Sequence, residues 1–140
     1  MKLTEFEPQF FRYDVRVEDV TMVAPEFRAR PSNEWRAAGG PTVIERKALT
    51  YLLEVESLAA AQGIRFLCPK CFRDNGGAVG THGVNVAFKD RGVPHNAYTG
   101  LPRWNVSGSG YADLSITPSV LVVVGCGWHG YITNGEVSIL

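Results

Sequence analysis

Residues 63–71, GIRFLCPKC, run as a short apolar segment straight into a pair of cysteines. This C-x-x-C unit, Cys68 and Cys71, offers two thiolates from one tight loop, and the same spacing recurs in CGWH at Cys126 and His129. Zinc prefers thiolate and imidazole donors in a tetrahedron, and structural sites take all four from the protein. The sequence therefore predicts one Zn²⁺ ion held by Cys68, Cys71, Cys126 and His129.

Two other roles remain open for residues of this kind. Cys68 and Cys71 could form a redox pair, but a glycine-rich loop follows them instead of a thioredoxin-like βαβ pattern. His82, in the loop DNGGAVGTHGV, could replace one of the four ligands, add to them or act as a general base beside the metal. A surface histidine, or one that only contacts the ligands, is the commoner case.

Around the cysteines, the apolar pattern predicts an α+β, mostly β fold. We expect one small antiparallel zinc-ribbon-like sheet with one or two short helices. The chain is predicted to form a single domain over 1–140, with an N-terminal extended and helical part (1–62) and a zinc-binding β part (63–140). A length of 140 residues suits one domain with its own core.

In the N-terminal part, the first 30 residues are expected to be extended, and residues 31–42, PSNEWRAAGGPT, predict a loop. Residues 44–61 have apolar positions at helical spacing, but TYLLEV has strand-like content. We favour a strand followed by a short helix that Ser57 caps and Gly63 ends.

In the C-terminal part, several segments predict strands. Val84, Val86 and Phe88 alternate with more polar residues, which is typical of a half-buried strand. Pro118 is expected to interrupt or end a strand through Leu114 and Ile116, and residues 120–124 are expected to form a buried strand. Asn134-Gly135 lies between two further apolar segments and predicts a hairpin with a type I′ turn.

The composition limits the classes of partner. Lys and Arg together number 14, as do Asp and Glu, so the formal charge is zero and a nucleic-acid partner is not expected. The N-terminus lacks the pattern of a secretory signal, and the apolar run at 120–124 is too short to cross a membrane. We expect a cytoplasmic protein with no membrane partner.

Familiar catalytic motifs do not occur in the sequence. There is no G-x-S-x-G, H-E-x-x-H or Walker loop, and no H-x-E of the kind that zinc deaminases need. A zinc ion with four protein ligands also has no open position at which to activate water. No catalytic residue is therefore predicted.

Residues of the C-terminal half resemble a known family. The matching segments are FLCPKC (66–71), GTH (80–82), RWNVSGSG (103–110), LSITPSV (114–120) and GCGWHGYITNGEV (125–137). They resemble a family of small zinc-binding proteins from tailed bacteriophages and prophages, catalogued as domain of unknown function 6527. The resemblance covers roughly residues 62–138, supports zinc and a phage origin, and implies no activity. Members also occur beside bacterial ubiquitin-like conjugation genes, which suggests a binding role.

We accordingly predict a zinc-stabilised adaptor of phage type that contacts a protein partner, either a host factor or a virion component. Its location would be the host cytoplasm, with association to the virion as a further possibility. The alternative is a metal-dependent, hydrolase-like enzyme in which zinc keeps an open position near His82. A closed site would favour the adaptor, and a metal-bound water beside His82 would favour the enzyme.

Overall fold

The computed structural model describes residues 1–23, 42–95, 97, 102–123 and 125–140. Within them the chain forms two four-stranded sheets, with strand orders β2-β1-β3-β4 and β5-β6-β7-β8. The strands are β1 (Gln9–Val23), β2 (Thr42–Glu54), β3 (Gly63–Leu67), β4 (Gly83–Ala87), β5 (Asn105–Ser107), β6 (Ser115–Leu121), β7 (His129–Thr133) and β8 (Glu136–Val137). In the same described residues, one α-helix, α1 (Pro69–Asn75), follows β3, and three 3₁₀ helices span Leu3–Phe6, Leu58–Ala60 and Tyr111–Asp113.

The mostly β fold with antiparallel sheets and a short helix is confirmed, although the strands form two sheets and not one. The pairs β1–β3, β3–β4, β5–β6, β6–β7 and β7–β8 are all antiparallel. The predicted loop at 31–42 lies almost wholly outside the described residues, which resume at Thr42, the first residue of β2.

The prediction of a strand and then a short helix before residue 62 is confirmed. β2 ends at Glu54, and Ser57 caps the 3₁₀ helix Leu58–Ala60 by accepting a hydrogen bond from the Ala60 N–H. The prediction that Gly63 ends this helix is wrong, because Gly63 is the first residue of β3. A Cβ at Gly63 would lie 2.7 Å from the Val86 carbonyl oxygen, so the close approach of β4 explains the glycine.

Pro118 interrupts the pairing of its strand, as one of the two alternatives predicted, but does not end the strand. β6 runs from Ser115 to Leu121, and its pairing with β7 shifts register between Ile116 and Val120. Proline has no N–H to donate, so it is tolerated where the ladder is already interrupted, as at a bulge. The predicted buried strand at 120–124 is also wrong, since β6 ends at Leu121 and the Leu121 and Val123 side chains are exposed.

The hairpin at Asn134-Gly135 is confirmed. β7 and β8 pair through Ile132↔Val137 and Thr133↔Glu136, and the two turn residues have φ of 49° and 75°. Positive φ at both central positions is what a type I′ turn requires.

Buried side chains from both sheets form one core, in which Trp128, Phe66 and Ile116 are almost fully excluded from solvent. The Trp128 ring packs edge-on against Phe66 at 5.8 Å between centroids. Aromatic burial of this kind supplies much of the apolar area that stabilises a small fold. The core therefore joins the strands that carry the candidate sites.

The chain divides into two compact units, one of residues 1–13 and 52–140 and the other of residues 14–51. The second unit contains the outer parts of β1 and β2. Within it Arg16 binds Asp14 at 2.7 Å, and Tyr51 donates to Glu18 at 3.1 Å, which raises the pKa of Tyr51. The single-domain organisation with a boundary near residue 62 stays a prediction.

Candidate functional site

Three cysteines and one histidine form a compact group in the larger unit. Cys68 is the N-cap of α1 directly after β3, and Cys71 lies in the first turn of that helix. His82 immediately precedes β4, and Cys126 lies in the connection between β6 and β7. One donor atom from each of the four lies within 4.8 Å of the others. The β3–β4 connection thus supplies three donors and the second sheet supplies the fourth.

Cys126 lies at the centre of this group. Its Sγ is 3.3 Å from Cys68 Sγ and 3.3 Å from His82 Nε2. The other ring nitrogen of His82, Nδ1, lies 3.1 Å from the Gly83 carbonyl. With the proton on Nδ1 donated to that carbonyl, the Nε2 lone pair points at the sulfurs, as in histidines that bind metals. Lys70 donates from Nζ to the Cys126 carbonyl at 2.7 Å and so fixes this loop against α1.

The pKa values of the thiols differ because their surroundings differ. Burial raises the pKa of Cys68 to about 12 and also raises that of Cys71. Burial acts in the same direction on Cys126, but hydrogen bonds that a doubly protonated His82 ring and the Trp128 N–H donate to its thiolate outweigh burial and lower the pKa of Cys126 to about 6. The contact with Cys126 in turn raises the pKa of His82. Cys126 is therefore the thiol that ionises first.

The donor set fits a tetrahedral zinc ion. Zinc–sulfur bonds of about 2.3 Å place two ligand sulfurs roughly 3.8 Å apart, and the observed separations of 3.3 Å and at most 4.8 Å bracket that value. The group holds every cysteine of the sequence. His82 occupies the place that the sequence analysis gave to His129, because the sheets bring the start of β4, and not the start of β7, to the cysteines.

His129 instead lies beside a serine. Its Nε2 is 2.8 Å from Ser119 Oγ, in a partly buried pair. In the tautomer with the proton on Nδ1, the Ser119 hydroxyl donates to Nε2. This is the contact by which a histidine activates a serine nucleophile. Among the described residues, the other histidines do not share this arrangement, since His82 joins the cysteines and His95 is exposed.

The pairing of β6 and β7 explains why Ser119 and His129 meet. Leu121 lies directly opposite His129, and Ser119, two residues before Leu121, points to the same face of the sheet. The diagonal distance is short enough for a histidine ring to span. The register shift between Ile116 and Val120 includes Ser119, and bulges often re-aim a side chain beside an active site.

Trp104 also contacts the serine segment, by donating from its indole Nε1 to the Ser119 carbonyl at 3.2 Å. A cavity of about 560 Å³ opens beside these residues, within the size range of ligand pockets. Its lining includes Ser119, Trp104 and His82, together with apolar side chains of β4, β6 and the segment after β6: Val84, Ala87, Pro118, Val120, Leu121, Val122 and Val123. The candidate nucleophile therefore faces a concave, mostly apolar surface.

Sequence reasoning did not find the Ser119–His129 pair. His129 was assigned to the metal because its spacing from Cys126 copies that of the C-x-x-C unit. Ser119 lies outside any G-x-S-x-G motif, so that search had no signal to detect. The recurring segments PSV and WHG, quoted for the resemblance above, contain both residues, but only the strand pairing shows that they touch.

A serine that lines a cavity and whose hydroxyl is held against a histidine defines a candidate serine hydrolase. Residues 36–140 match a family model described as bacterial ubiquitination-like system serine protease (BubE), which covers more than half of the chain. The chain belongs to this family. No curated protein and no solved structure matches it.

This family membership corrects three predictions. The resemblance to a phage and prophage family of unknown function is overturned, and the phage-type adaptor with it, because the matched family is named for a bacterial protease. The alternative, a metal-dependent hydrolase with an open zinc position near His82, is not supported either.

The described helices include none that is long and apolar enough to span a bilayer.

Proposed function

We propose that this chain is a serine protease in which Ser119 is the nucleophile and His129 is the general base. Its substrate would be a protein of a bacterial ubiquitination-like system, in keeping with the family name. The observation that carries the proposal is the 2.8 Å contact between Ser119 Oγ and His129 Nε2, in which Ser119 also lines a mostly apolar cavity. A protein partner, the substrate, follows from this activity.

The geometry supports a two-step hydrolysis. His129 Nε2 takes the Ser119 proton as Oγ attacks the scissile carbonyl, and then delivers that proton to the leaving amine as the peptide C–N bond breaks. Water then attacks the resulting acyl-serine ester. His129 again accepts a proton and returns it to Ser119 Oγ, which releases the new carboxylate. The partial burial of the pair limits competing contacts with bulk water.

Covalent labelling tests this assignment directly. A small alkyl fluorophosphonate should modify Ser119 in the wild-type protein, as detected by peptide mass spectrometry, and Ser119→Ala should abolish both labelling and cleavage. Ser138→Ala is a matched control, because the Ser138 hydroxyl accepts from the Tyr131 N–H of β7 and forms no hydrogen bond with a histidine among the described residues. Labelling at another serine, or full cleavage by Ser119→Ala, would disprove the proposal.

We further propose that Cys68, Cys71, His82 and Cys126 hold a structural Zn²⁺ ion. The fit of the four donors and the use of every cysteine support it. With all four positions filled by protein, such an ion stabilises the fold, and catalysis stays with Ser119 and His129. Elemental analysis of purified protein should find about one zinc per chain. His82→Ala should lower that content, whereas His129→Ala should not.

A further inference from the structure

We propose that the cavity beside Ser119 binds the substrate as an extended peptide that adds to the edge of β4 left free by the strands that the structure describes, with an apolar side chain directed into the cavity. The inference rests on the proposed protease function and names the class of substrate for the same site: an unstructured, apolar segment of a protein chain. Strand addition to an exposed sheet edge is a general mode of peptide recognition.

The backbone N–H and carbonyl groups of β4 point alternately toward β3 and away from it. β4 is the last strand in the order β2-β1-β3-β4. The bonds Phe88 N–H→Gln62 carbonyl and Cys68 N–H→His82 carbonyl show that even-numbered residues here face β3. Because hydrogen-bonding direction alternates along an antiparallel strand, Asn85 directs its N–H and carbonyl away from β3. The Ala87 carbonyl confirms this direction by accepting from Trp104.

The outward edge of β4 and the proposed nucleophile share one cavity. Asn85 and Ser119 line the same cavity. The Trp104 main chain pairs with the end of β4 at Ala87 and Lys89, while its indole donates to the Ser119 carbonyl. Trp104 therefore fixes the free edge and the serine in one arrangement. A peptide lying along Asn85 would be directed toward Ser119.

The chemistry of the cavity lining determines which side chain of the bound peptide it favours. Most of the cavity lining is apolar, and none of the described lining residues carries a carboxylate. The Arg103 guanidinium, which belongs to a residue of the lining, donates to the Ala97 carbonyl at 2.6 Å. Leu121 and Val123 add exposed apolar surface next to the cavity. These features favour an uncharged apolar side chain near the scissile bond and disfavour an acidic or basic one.

Labelling rates test this without a known substrate. The probes are the small alkyl fluorophosphonate and a tetrapeptidyl diphenyl phosphonate with three alanines and a C-terminal valine analogue. The control peptide carries an aspartate analogue in place of valine. We expect the valine probe to label Ser119 at least tenfold faster than the aspartate probe. N-methylation of each peptide amide in turn should slow labelling about tenfold at alternate positions only, since alternate N–H groups face β4.

A pair of variants tests the edge from the protein side. Asn85→Pro removes the outward N–H without removing a bond to β3, and Asn85→Ala keeps that N–H while deleting the side chain. We expect Asn85→Pro to slow peptidyl labelling about tenfold more than it slows fluorophosphonate labelling, and Asn85→Ala to change the ratio of the two rates much less. The N-methyl series on the wild-type protein remains decisive if Asn85→Pro does not fold.

The outcomes separate the two proposals. If neither probe labels Ser119, the protease assignment itself fails. If the fluorophosphonate labels Ser119 but N-methylation has no alternating effect, or the valine and aspartate probes react equally, strand addition is overturned and the protease stands. A labelling rate that falls as protein concentration rises would show that a second copy of the chain covers the cavity, which also overturns the inference.

Discussion

The three histidines of the chain lie in three different environments, and two of these environments indicate separate functional roles. His129 contacts a serine hydroxyl at 2.8 Å, and His82 contacts a thiol at 3.3 Å. An imidazole suits both tasks, because one ring nitrogen can accept a proton or bind a metal while the other is held by a hydrogen bond. The residue type alone does not reveal which task applies.

Substitution of the two histidines should separate catalysis from folding. His129→Ala is expected to reduce Ser119 labelling at least a hundredfold, within the range of general-base contributions, and to leave zinc content and melting temperature nearly unchanged. His82→Ala should lower zinc content and melting temperature together. Labelling kinetics, elemental analysis and calorimetry on both variants measure these effects. Loss of zinc in His129→Ala would contradict the assignment.

Trp104 is expected to act as a positioning residue for Ser119. Trp104→Phe keeps most of the ring but removes the indole N–H that donates to the Ser119 carbonyl. Losing one such bond changes energies by about 0.5–1.5 kcal/mol, so we expect kcat to fall roughly two- to tenfold with KM unchanged. Steady-state kinetics on a cleaved peptide measure the split. An effect on KM alone would show that Trp104 shapes the groove and not the serine.

Among single residues, the sequence predicts those whose role is encoded in the spacing of a motif. Cys68, Cys71 and Cys126 are brought together as their motifs suggest, because thiolates in knuckle-like turns have few other uses. His82 and His129 could not be told apart, since the choice depends on which strand ends meet. Ser119 is a common residue in a strand, and its role exists only through its neighbour across the sheet.

The strands show a similar division between local and non-local information. The alternation in β4, the Ser57 cap and the Asn134-Gly135 turn are encoded within a few residues, and all three are found as predicted. Pro118 signals the interruption of β6, but whether the strand continues beyond it depends on the pairing with β7, which no local pattern signals. Two sheets in place of one also depend on long-range pairing.

The tight turn between β7 and β8 offers a prediction at the scale of one element. Gly135 has φ of 75°, and a Cβ there would meet the Ala112 carbonyl, whereas Gly76 at the end of α1 has φ of 70° with nothing within 4 Å. Gly76→Ala should therefore carry only the left-handed strain, about 1–2 kcal/mol. Gly135→Ala should lower the free energy of unfolding, measured in urea, clearly more than Gly76→Ala does. Equal losses would show that the turn relaxes without disturbing its neighbour.

Over the larger unit, the cysteine group connects the two sheets near the cavity. Cys68, Cys71 and His82 come from the β3–β4 connection, and Cys126 comes from the β6–β7 connection that also leads to His129. His82 lines the cavity as well. A metal at this position would fix the edge of β4 relative to His129, the proposed general base. Loss of the metal should therefore reduce stability and activity together.

Chelation is thus expected to lower the melting temperature and stop Ser119 labelling in parallel. Structural zinc contributes about 10–16 kcal/mol in small peptides, which is comparable with the whole net stability of a domain at about 5–15 kcal/mol. Calorimetry and labelling at increasing chelator concentration measure both effects, with Mg²⁺ and Zn²⁺ added back as control and rescue. Labelling that persists after complete zinc loss would show that the serine pair does not need the metal frame.

Zinc binding should also release protons in a number that the thiol surroundings determine. At pH 7 burial keeps Cys68 protonated, with a pKa of about 12, and likewise raises the pKa of Cys71, whereas Cys126, with a pKa of about 6, is already largely a thiolate. Because zinc binds thiolates and an unprotonated imidazole nitrogen, its binding must displace the protons of Cys68 and Cys71 and any proton on His82 Nε2, so we expect at least about two to be released. At lower pH Cys126 and His82 are both protonated, so the number should rise toward four and the affinity should fall. Titration calorimetry of zinc into chelator-treated protein, in buffers with different ionisation enthalpies, counts the protons at each pH. Release of fewer than one proton at pH 7 would contradict a site built on these three thiols.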